Sequence, residues 1–366
     1  AIKPNYYAAY SNMGIALQND GKFSEAIEAY NNVLSLNPNY AEAFNNLGLT
    51  LVDMGSLDDA LAAYKKAIAI KPDYYAAYNN MGIALQTDGR LSEAVEAYSK
   101  ATSINPSYPA AFNNLGNVLK EQRKLEEAIT AYNKAISIRP SFFEAYNNKG
   151  AALKDQGKLE DALSAYYKAI SIKPDYERVY HNIGNTLKGS MFEKRSKIFQ
   201  DLITAVLARK YYVRPSDIVK TAISLLKLEP SLQKQLKVAC GRTVSLKLLD
   251  VVSDLNEFPL FIKLMTICPL PDLELEKLLK ILRSTILLHV LDLGDATPEL
   301  LRVQSALALQ CFINEYIYNY STKEKKALGA LEGIVRKSLK NNQQPSPQAI
   351  LALASYKPLN QYDWCN

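Results

Sequence analysis

Histidine is nearly missing from this sequence: its 366 residues include two, His181 and His289, with one Trp and four Cys. Acid–base and nucleophilic catalysis draw on His, Cys or paired carboxylates gathered in a pocket, so the chain is poor in the groups that usually supply them. His289 stands among Ile286, Leu287, Leu288 and Val290 and is expected to be a hydrogen-bonded core residue. The cysteines, Cys240, Cys268, Cys311 and Cys365, are 28, 43 and 54 positions apart, far from the paired spacing of zinc sites. Inert thiols in a reducing, cytoplasmic compartment are the simpler expectation. Neither a GxGxxG nor a GxxxxGK loop occurs, so no nucleotide cofactor is expected. A catalytic site and a metal site are likewise not expected, and the chain does not read as an enzyme.

Long apolar runs are also absent. The longest, around 281–293, is interrupted by Arg283, Ser284, His289 and Asp292 and is too short to span a bilayer. Neither a transmembrane helix nor a signal peptide is legible, and no membrane partner is expected. Charge is close to balanced in residues 1–190, where 19 Lys and Arg stand against 20 Asp and Glu; residues 191–366 carry 24 against 17. That surplus is spread over several segments rather than clustered, which argues for a solvated surface and against nucleic-acid binding.

What the sequence has in abundance is repetition. Pro4, Pro38, Pro72, Pro106, Pro140 and Pro174 are each 34 residues apart. In step with them come an aromatic at Tyr10, Phe44, Tyr78, Phe112, Tyr146 and Tyr180 and a glycine at Gly14, Gly48, Gly82, Gly116, Gly150 and Gly184. A second aromatic follows at Tyr30, Tyr64, Tyr98, Tyr132 and Tyr166, with Ala26, Ala60, Ala94, Ala128 and Ala162 four residues before it. Small residues let two antiparallel helices approach and the aromatics fill the space between them. Gly21, Gly55, Gly89 and Gly157 mark the turn within each pair, where a left-handed backbone suits glycine. Arg123 takes that place in the fourth unit, so its turn should be strained or differently built.

This pattern resembles the tetratricopeptide repeat, which implies an all-α, right-handed superhelical solenoid over residues 1–190 followed by an all-helical globular domain over 191–366. Full units are expected at 7–40, 41–74, 75–108, 109–142 and 143–176, with an extra helix at 177–188. Residues 1–6, AIKPNY, match AIKPDY at 69–74 and read as the remnant of a preceding repeat. Without a neighbour, Tyr7, Tyr10, Ile15 and Leu17 should be under-protected, so the first repeat either opens early or self-associates by stacking on another copy.

Beyond Lys188 the period stops. Helices are expected near 191–209, 216–228, 231–240, 244–256, 258–267, 272–292, 298–319, 322–341 and 347–356 from apolar spacing. Thr297 before Pro298, Ser346 before Pro347, and Ser321 with Glu324 are N-terminal signals. Stretches such as YVRPSDIVKTAISLLKLEPSL at 212–232 and FPLFIKLMTICPLPDLELEKLL at 258–279 resemble the helical middle region of bacterial tetratricopeptide-repeat methyltransferases. That resemblance implies a link to an S-adenosylmethionine-dependent domain beyond Asn366, and the ending KPLNQYDWCN, with Trp364, suits such a continuation.

The candidate binding feature is a row of asparagines two residues after each repeat's first aromatic: Asn12, Asn46, Asn80, Asn114, Asn148 and Asn182. An amide offers a donor and an acceptor, and can pair with the backbone of an extended peptide whatever its side chains. In the solenoid the first helix of each pair lines the concave surface, so the row becomes a ladder along it. The repeats resemble those of O-linked N-acetylglucosamine transferases, which implies that such a ladder grips peptide backbone. The alternative is that these asparagines serve local structure only.

Helical spacing adds Ala8, Glu42, Ala76, Ala110, Glu144 and Arg178 four residues before the row. Three residues after it come Ile15, Leu49, Ile83, Asn117, Ala151 and Asn185, of which Asn117 and Asn185 extend the polar surface. A basic clamp for a carboxyl terminus is missing from these positions. Lys149 replaces the apolar Met13, Leu47, Met81, Leu115 and Ile183 and reads as a snorkelling side chain. Tyr6, Tyr40, Tyr74, Tyr108, Phe142 and Tyr176 recur at the turn between repeats, as packing residues or as an aromatic edge. His181 has Ser11, Asn45, Asn79, Asn113 and Asn147 as counterparts, which suggests a polar surface role. The expected function is a scaffold binding a protein or peptide ligand; the alternative is the substrate-recruiting part of a larger methyltransferase or glycosyltransferase.

Overall fold

The computed structural model describes residues 6–209, 213–241, 247–292, 297–316 and 319–362, which leaves Trp364 and Cys365 outside the described residues. Among the described residues no strand occurs. The chain divides into two compact units, Ala1–Val179 and Tyr180–Asn366.

In the first unit each 34-residue period becomes one pair of helices: α1 (Tyr6–Asn19) with α2 (Phe23–Leu36), α3 (Ala41–Asp53) with α4 (Leu57–Ile70), α5 (Tyr75–Thr87) with α6 (Leu91–Ile104), α7 (Pro109–Glu121) with α8 (Leu125–Ile138), and α9 (Phe143–Asp155) with α10 (Leu159–Ile172). The glycine of each first helix allows the approach. A Cβ built on Gly48 would stand 2.6 Å from Tyr64 Cε1, and one on Gly116 2.5 Å from Tyr132 Cε1. Those tyrosines, with Tyr30, Tyr98 and Tyr166, are fully buried. Burial pushes the Tyr30 hydroxyl up to about 12, so the ring stays neutral.

The core crosses from repeat to repeat. Ala60, Leu61 and Tyr64 of α4 pack with Ala84 and Leu85 of α5, with Ala94, Ala97 and Tyr98 of α6, and with Val118 of α7. At the start of the array Met13 is 50% exposed, while its counterparts Leu47, Met81 and Leu115 are half-buried. Tyr7, Tyr10 and Leu17 are half-buried.

Arg123 settles how the fourth turn is built. It keeps the hydrogen bonds of the glycine turns: Arg123 N–H donates to Lys120 O at 2.9 Å and Lys124 N–H to Leu119 O at 2.9 Å, as Gly89 N–H does to Gln86 O at 3.1 Å and Arg90 N–H to Leu85 O at 2.9 Å. Its φ is 64°, in the left-handed region where Gly21, Gly55, Gly89 and Gly157 lie between 74° and 80°. The turn is strained rather than rebuilt. Arg123→Gly is expected to stabilise the array by about 1 kcal/mol, the left-handed cost to a side chain less part of glycine's extra chain entropy. Urea denaturation of both proteins checks it; a destabilised variant would show that the arginine side chain contributes more than its backbone costs.

Helix α11 (Glu177–Leu187) crosses the division between the units. The second unit continues with α12 (Lys197–Leu207), α13 (Pro215–Leu226), α14 (Pro230–Cys240), α15 (Leu248–Asn256), α16 (Pro259–Met265), α17 (Leu273–His289), α18 (Pro298–Ile313), α19 (Thr322–Lys340) and α20 (Pro347–Ala354). Start signals read from the sequence act as expected. Thr297 Oγ1 accepts from Leu300 N–H, Ser346 Oγ from Ala349 N–H, and Ser321 with Glu324 forms a reciprocal capping box. Two boundaries differ from expectation by six residues. Helix α12 begins at Lys197 because Ser196 caps it, its side chain accepting from Phe199 N–H. Helix α18 stops at Ile313 because Glu315 and Tyr316 are both left-handed, with φ of 53° and 56°.

His289 is exposed rather than in the core, since the last turn of α17 turns it outward, where Nδ1 lies 2.9 Å from Thr285 O. Among the described cysteines, Cys240 is exposed and Cys268 and Cys311 are buried, all with free thiols. A buried charged cluster ties α17 and α19 to the turn that follows α20. Arg283 stacks over the Tyr356 ring, 4.5 Å from its centroid, and the Tyr356 hydroxyl donates to Glu324 Oε1 at 2.8 Å.

Candidate functional site

Asparagines two residues after the first aromatic lie in the middle of each first helix. Asn12 on α1 is exposed, while Asn46 on α3, Asn80 on α5, Asn114 on α7 and Asn148 on α9 are half-buried. The residue before each is buried: Ser11, Asn45, Asn79, Asn113 and Asn147. His181, read as polar surface, is exposed on α11, whereas these counterparts are interior. Asn45, Asn79 and Asn113 are interior because each meets the first helix of the next repeat.

The two asparagine rows are joined. Asn80 Nδ2 donates to Asn45 Oδ1 at 3.0 Å, Asn114 Nδ2 to Asn79 Oδ1 at 3.1 Å, and Asn148 Nδ2 to Asn113 Oδ1 at 3.0 Å. Within a helix, Asn45 Nδ2 donates to Asn46 Oδ1 at 3.3 Å, Asn79 Nδ2 to Asn80 Oδ1 at 3.3 Å, and Asn147 Nδ2 to Asn148 Oδ1 at 3.2 Å. The buried row was not singled out from sequence as functional. Its signal was the dipeptide Asn-Asn at 45–46, 79–80, 113–114 and 147–148. An amide has two N–H groups and two carbonyl lone pairs, so Asn80 and Asn148 each retain one of both after these bonds. These bonds hold Asn80, Asn114 and Asn148 in place.

Around the row the surface is small or apolar. Ile83 is 38% exposed, Leu49, Ala76, Ala110 and Ala151 are half-buried, and Ala8 is exposed. Glu42 and Glu144 are half-buried beside it, and Glu42 meets Lys71 at 3.6 Å. Asn117 is half-buried and its Oδ1 accepts from the Tyr132 hydroxyl at 2.8 Å, which leaves its NH2 able to donate elsewhere. Two turns beyond the row, further amide links run between repeats: Gln18 Nε2 donates to Asp53 Oδ2 at 2.9 Å and Gln86 Nε2 to Glu121 Oε1 at 2.6 Å. Lys149 is half-buried on α9. In the second unit, Asn182 and Asn185 lie on α11, half-buried and exposed; Asn182 O accepts from Thr186 Oγ1 at 2.8 Å.

The recurrent turn aromatics pack rather than stand free. Tyr40 meets Tyr7, Tyr108 meets Tyr75 and Tyr176 meets Phe143 edge to face, with centroids 5.4, 5.2 and 4.9 Å apart. Phe142 is buried under Arg139, 3.6 Å from its centroid, which removes it from any exposed aromatic edge. Among the described residues no group of His, Cys, Asp and Glu is placed to hold a metal ion, and no helix is long and apolar enough to cross a membrane.

The family model described as "TPR repeat" matches residues 19–55, 48–89, 87–123, 116–157 and 150–189, in step with the helix pairs. A crystal structure of MamA is 32% identical over a match covering 45% of this chain and 96% of that one. The chain is a tetratricopeptide-repeat protein. The MamA match has a TM-score of 0.42. YrrB, described as "a TPR protein with an unusual peptide-binding site", is 22% identical, covering 47% of this chain and 89% of its own, with a TM-score of 0.41. TTC0263 of Thermus thermophilus is 22% identical, covering 50% and 98%, with a TM-score of 0.41. No curated protein matches the sequence. These matches cover about half of this tetratricopeptide-repeat protein.

Proposed function

We propose that this chain is a non-catalytic interaction scaffold that binds an extended protein segment along the asparagine row of its repeats. The observation that carries this reading is the half-satisfied state of Asn80 and Asn148 in the row: each amide is locked by the repeat behind and the residue before, with hydrogen-bonding capacity left over. Side chains already fixed lose little entropy on binding, and a bidentate amide suits backbone of any sequence. Asn12, Asn46, Asn80, Asn114 and Asn148 carry the contact, Asn117 adds an NH2, and Asn182 and Asn185 offer the same amide chemistry on α11. The exposed Ile15 and Ile83 give apolar ground for alternate side chains of the segment. The free thiols of Cys240, Cys268 and Cys311 suit a reducing, cytoplasmic setting. The same binding serves a chain working alone or as the recruiting part of a larger transferase.

The test uses the full chain and the best binder panned on it from a random-peptide phage library. Calorimetry with Asn80, Asn114 and Asn148 all changed to Ala is expected to show affinity lower by roughly 0.5–1.5 kcal/mol for each net hydrogen bond lost. Circular dichroism separates this from unfolding, since the variant also loses inter-repeat amide bonds. Unchanged affinity in a folded variant discards the asparagine contact.

A further inference from the structure

The joined amides have a sense of direction. Asn80 Nδ2 points back to Asn45 of the preceding repeat, whereas its Oδ1 accepts from Asn79. Asn79 in turn accepts, on its own Oδ1, the Nδ2 of Asn114 in the following repeat. From Asn46 to Asn114 the amides therefore run head to tail, N–H toward the start of the array and C=O toward its end. Asn148, with Asn113 behind it and Asn147 beside it, repeats the same sense.

We propose that this polarity fixes the direction of a bound peptide: its N-terminal end lies toward α9 and its C-terminal end toward α3. The proposal rests on the peptide-binding reading above and adds a selectivity to it. In an extended strand a residue's own N–H and C=O point to the same side, with the N–H nearer the peptide's N-terminus. Both pair with one side-chain amide only when the N–H meets Oδ1 and the C=O meets Nδ2. Because Oδ1 faces the later repeats, the N–H must lie on that side. A peptide laid the other way sets donor against donor and acceptor against acceptor at Asn80, Asn114 and Asn148.

A turned amide would accommodate the reversed peptide, and the buried row prevents the turn. Rotating the Asn80 amide by half a turn would set its Nδ2 against Asn79 Nδ2 and its Oδ1 against Asn45 Oδ1. Asn45, Asn79, Asn113 and Asn147 are therefore positioning residues, which orient the rail without touching the ligand. They are at most 8% exposed.

Paramagnetic broadening tests both parts. The phage-selected peptide is synthesised with a nitroxide at its N-terminus or its C-terminus and added to isotope-labelled full chain. The N-terminal label is expected to broaden amides of α9, and the C-terminal label those of α3. The reverse pattern, or equal broadening of both helices by each label, overturns the direction while leaving peptide binding intact. Broadening that misses the first helices altogether overturns the peptide-binding reading, and this one with it. In the double variant Asn79→Ser, Asn113→Ser, which copies the residue type that Ser11 supplies in the first repeat, each label is expected to broaden both ends. A variant that keeps one direction overturns the positioning role.

Discussion

Tyr98→Ala is expected to lower the unfolding free energy of the repeat array by about 3–5 kcal/mol, the usual loss for a large aromatic removed from a packed core. Tyr98 is fully buried, and its ring fills the space that Gly82 leaves: a Cβ there would stand 2.7 Å from Tyr98 Cε1. It also belongs to the core that joins the second, third and fourth repeats, so the cavity weakens contacts on both sides. A solenoid has no long-range contacts to compensate, since each repeat is stabilised by its neighbours. Tyr98→Phe keeps the ring and removes only the hydroxyl that donates to Gln86 Oε1 at 3.1 Å, and should cost about 1 kcal/mol. Urea unfolding followed by circular dichroism measures both. A loss for the alanine variant no larger than for the phenylalanine variant would show that the aromatic fill is not what holds the pairs together.

The second large effect lies in the other unit. Glu324→Ala should destabilise it by about 2–4 kcal/mol, because it removes the buried carboxylate that accepts from the Tyr356 hydroxyl and from the Ser321 N–H, leaving both donors unpaired. Glu324 and Arg283 are 5% and 3% exposed, so water offers neither much compensation. Burial raises the Glu324 pKa, but the Ser321 N–H, the Tyr356 hydroxyl and the Arg283 charge together draw it below its ordinary value of 4.5. A carboxyl with a depressed folded pKa stabilises fully above its unfolded value and loses that contribution as pH falls through the folded one. The second unit should therefore weaken below about pH 4.5, and Glu324→Gln should flatten that dependence. Thermal melts of both proteins between neutral and acid pH check this; the same acid slope in the variant would assign it to other carboxyls, Asp272 beside Lys227 among them.

Much of the fold was legible because repetition removes ambiguity. One apolar window fits helix or strand poorly, whereas glycine and tyrosine returning every 34 residues define a helix pair and its packing. In the second unit the legible parts were chemical: Thr297, Ser321 and Ser346 each cap a helix that starts where their sequence places it. Apolar spacing alone places the start of α12 too early, because the cap at Ser196 sets it. The stop of α18 depends on two non-glycine residues in left-handed conformations, which no residue type announces.

The candidate site was half legible. The half-buried asparagine of each pair stands out by recurrence, but the buried one looks like surface because its partner is 35 residues away, in the next repeat. Only the packing of first helix on first helix turns Asn79 and Asn113 inward. His289 failed in the opposite direction. Its apolar neighbours in sequence are spread around the last turn of α17, and the face it occupies is the open one.

The most direct test of the account is a map of the asparagine side-chain NH2 resonances when the phage-selected peptide is added to the labelled full chain. The account predicts that Asn80, Asn114 and Asn148 shift together with the peptide's saturation, while the Asn-to-Asn bonds behind them persist. Shifts confined to the second helices of the repeats or to residues 191–362, with the three rail asparagines unmoved, would contradict it.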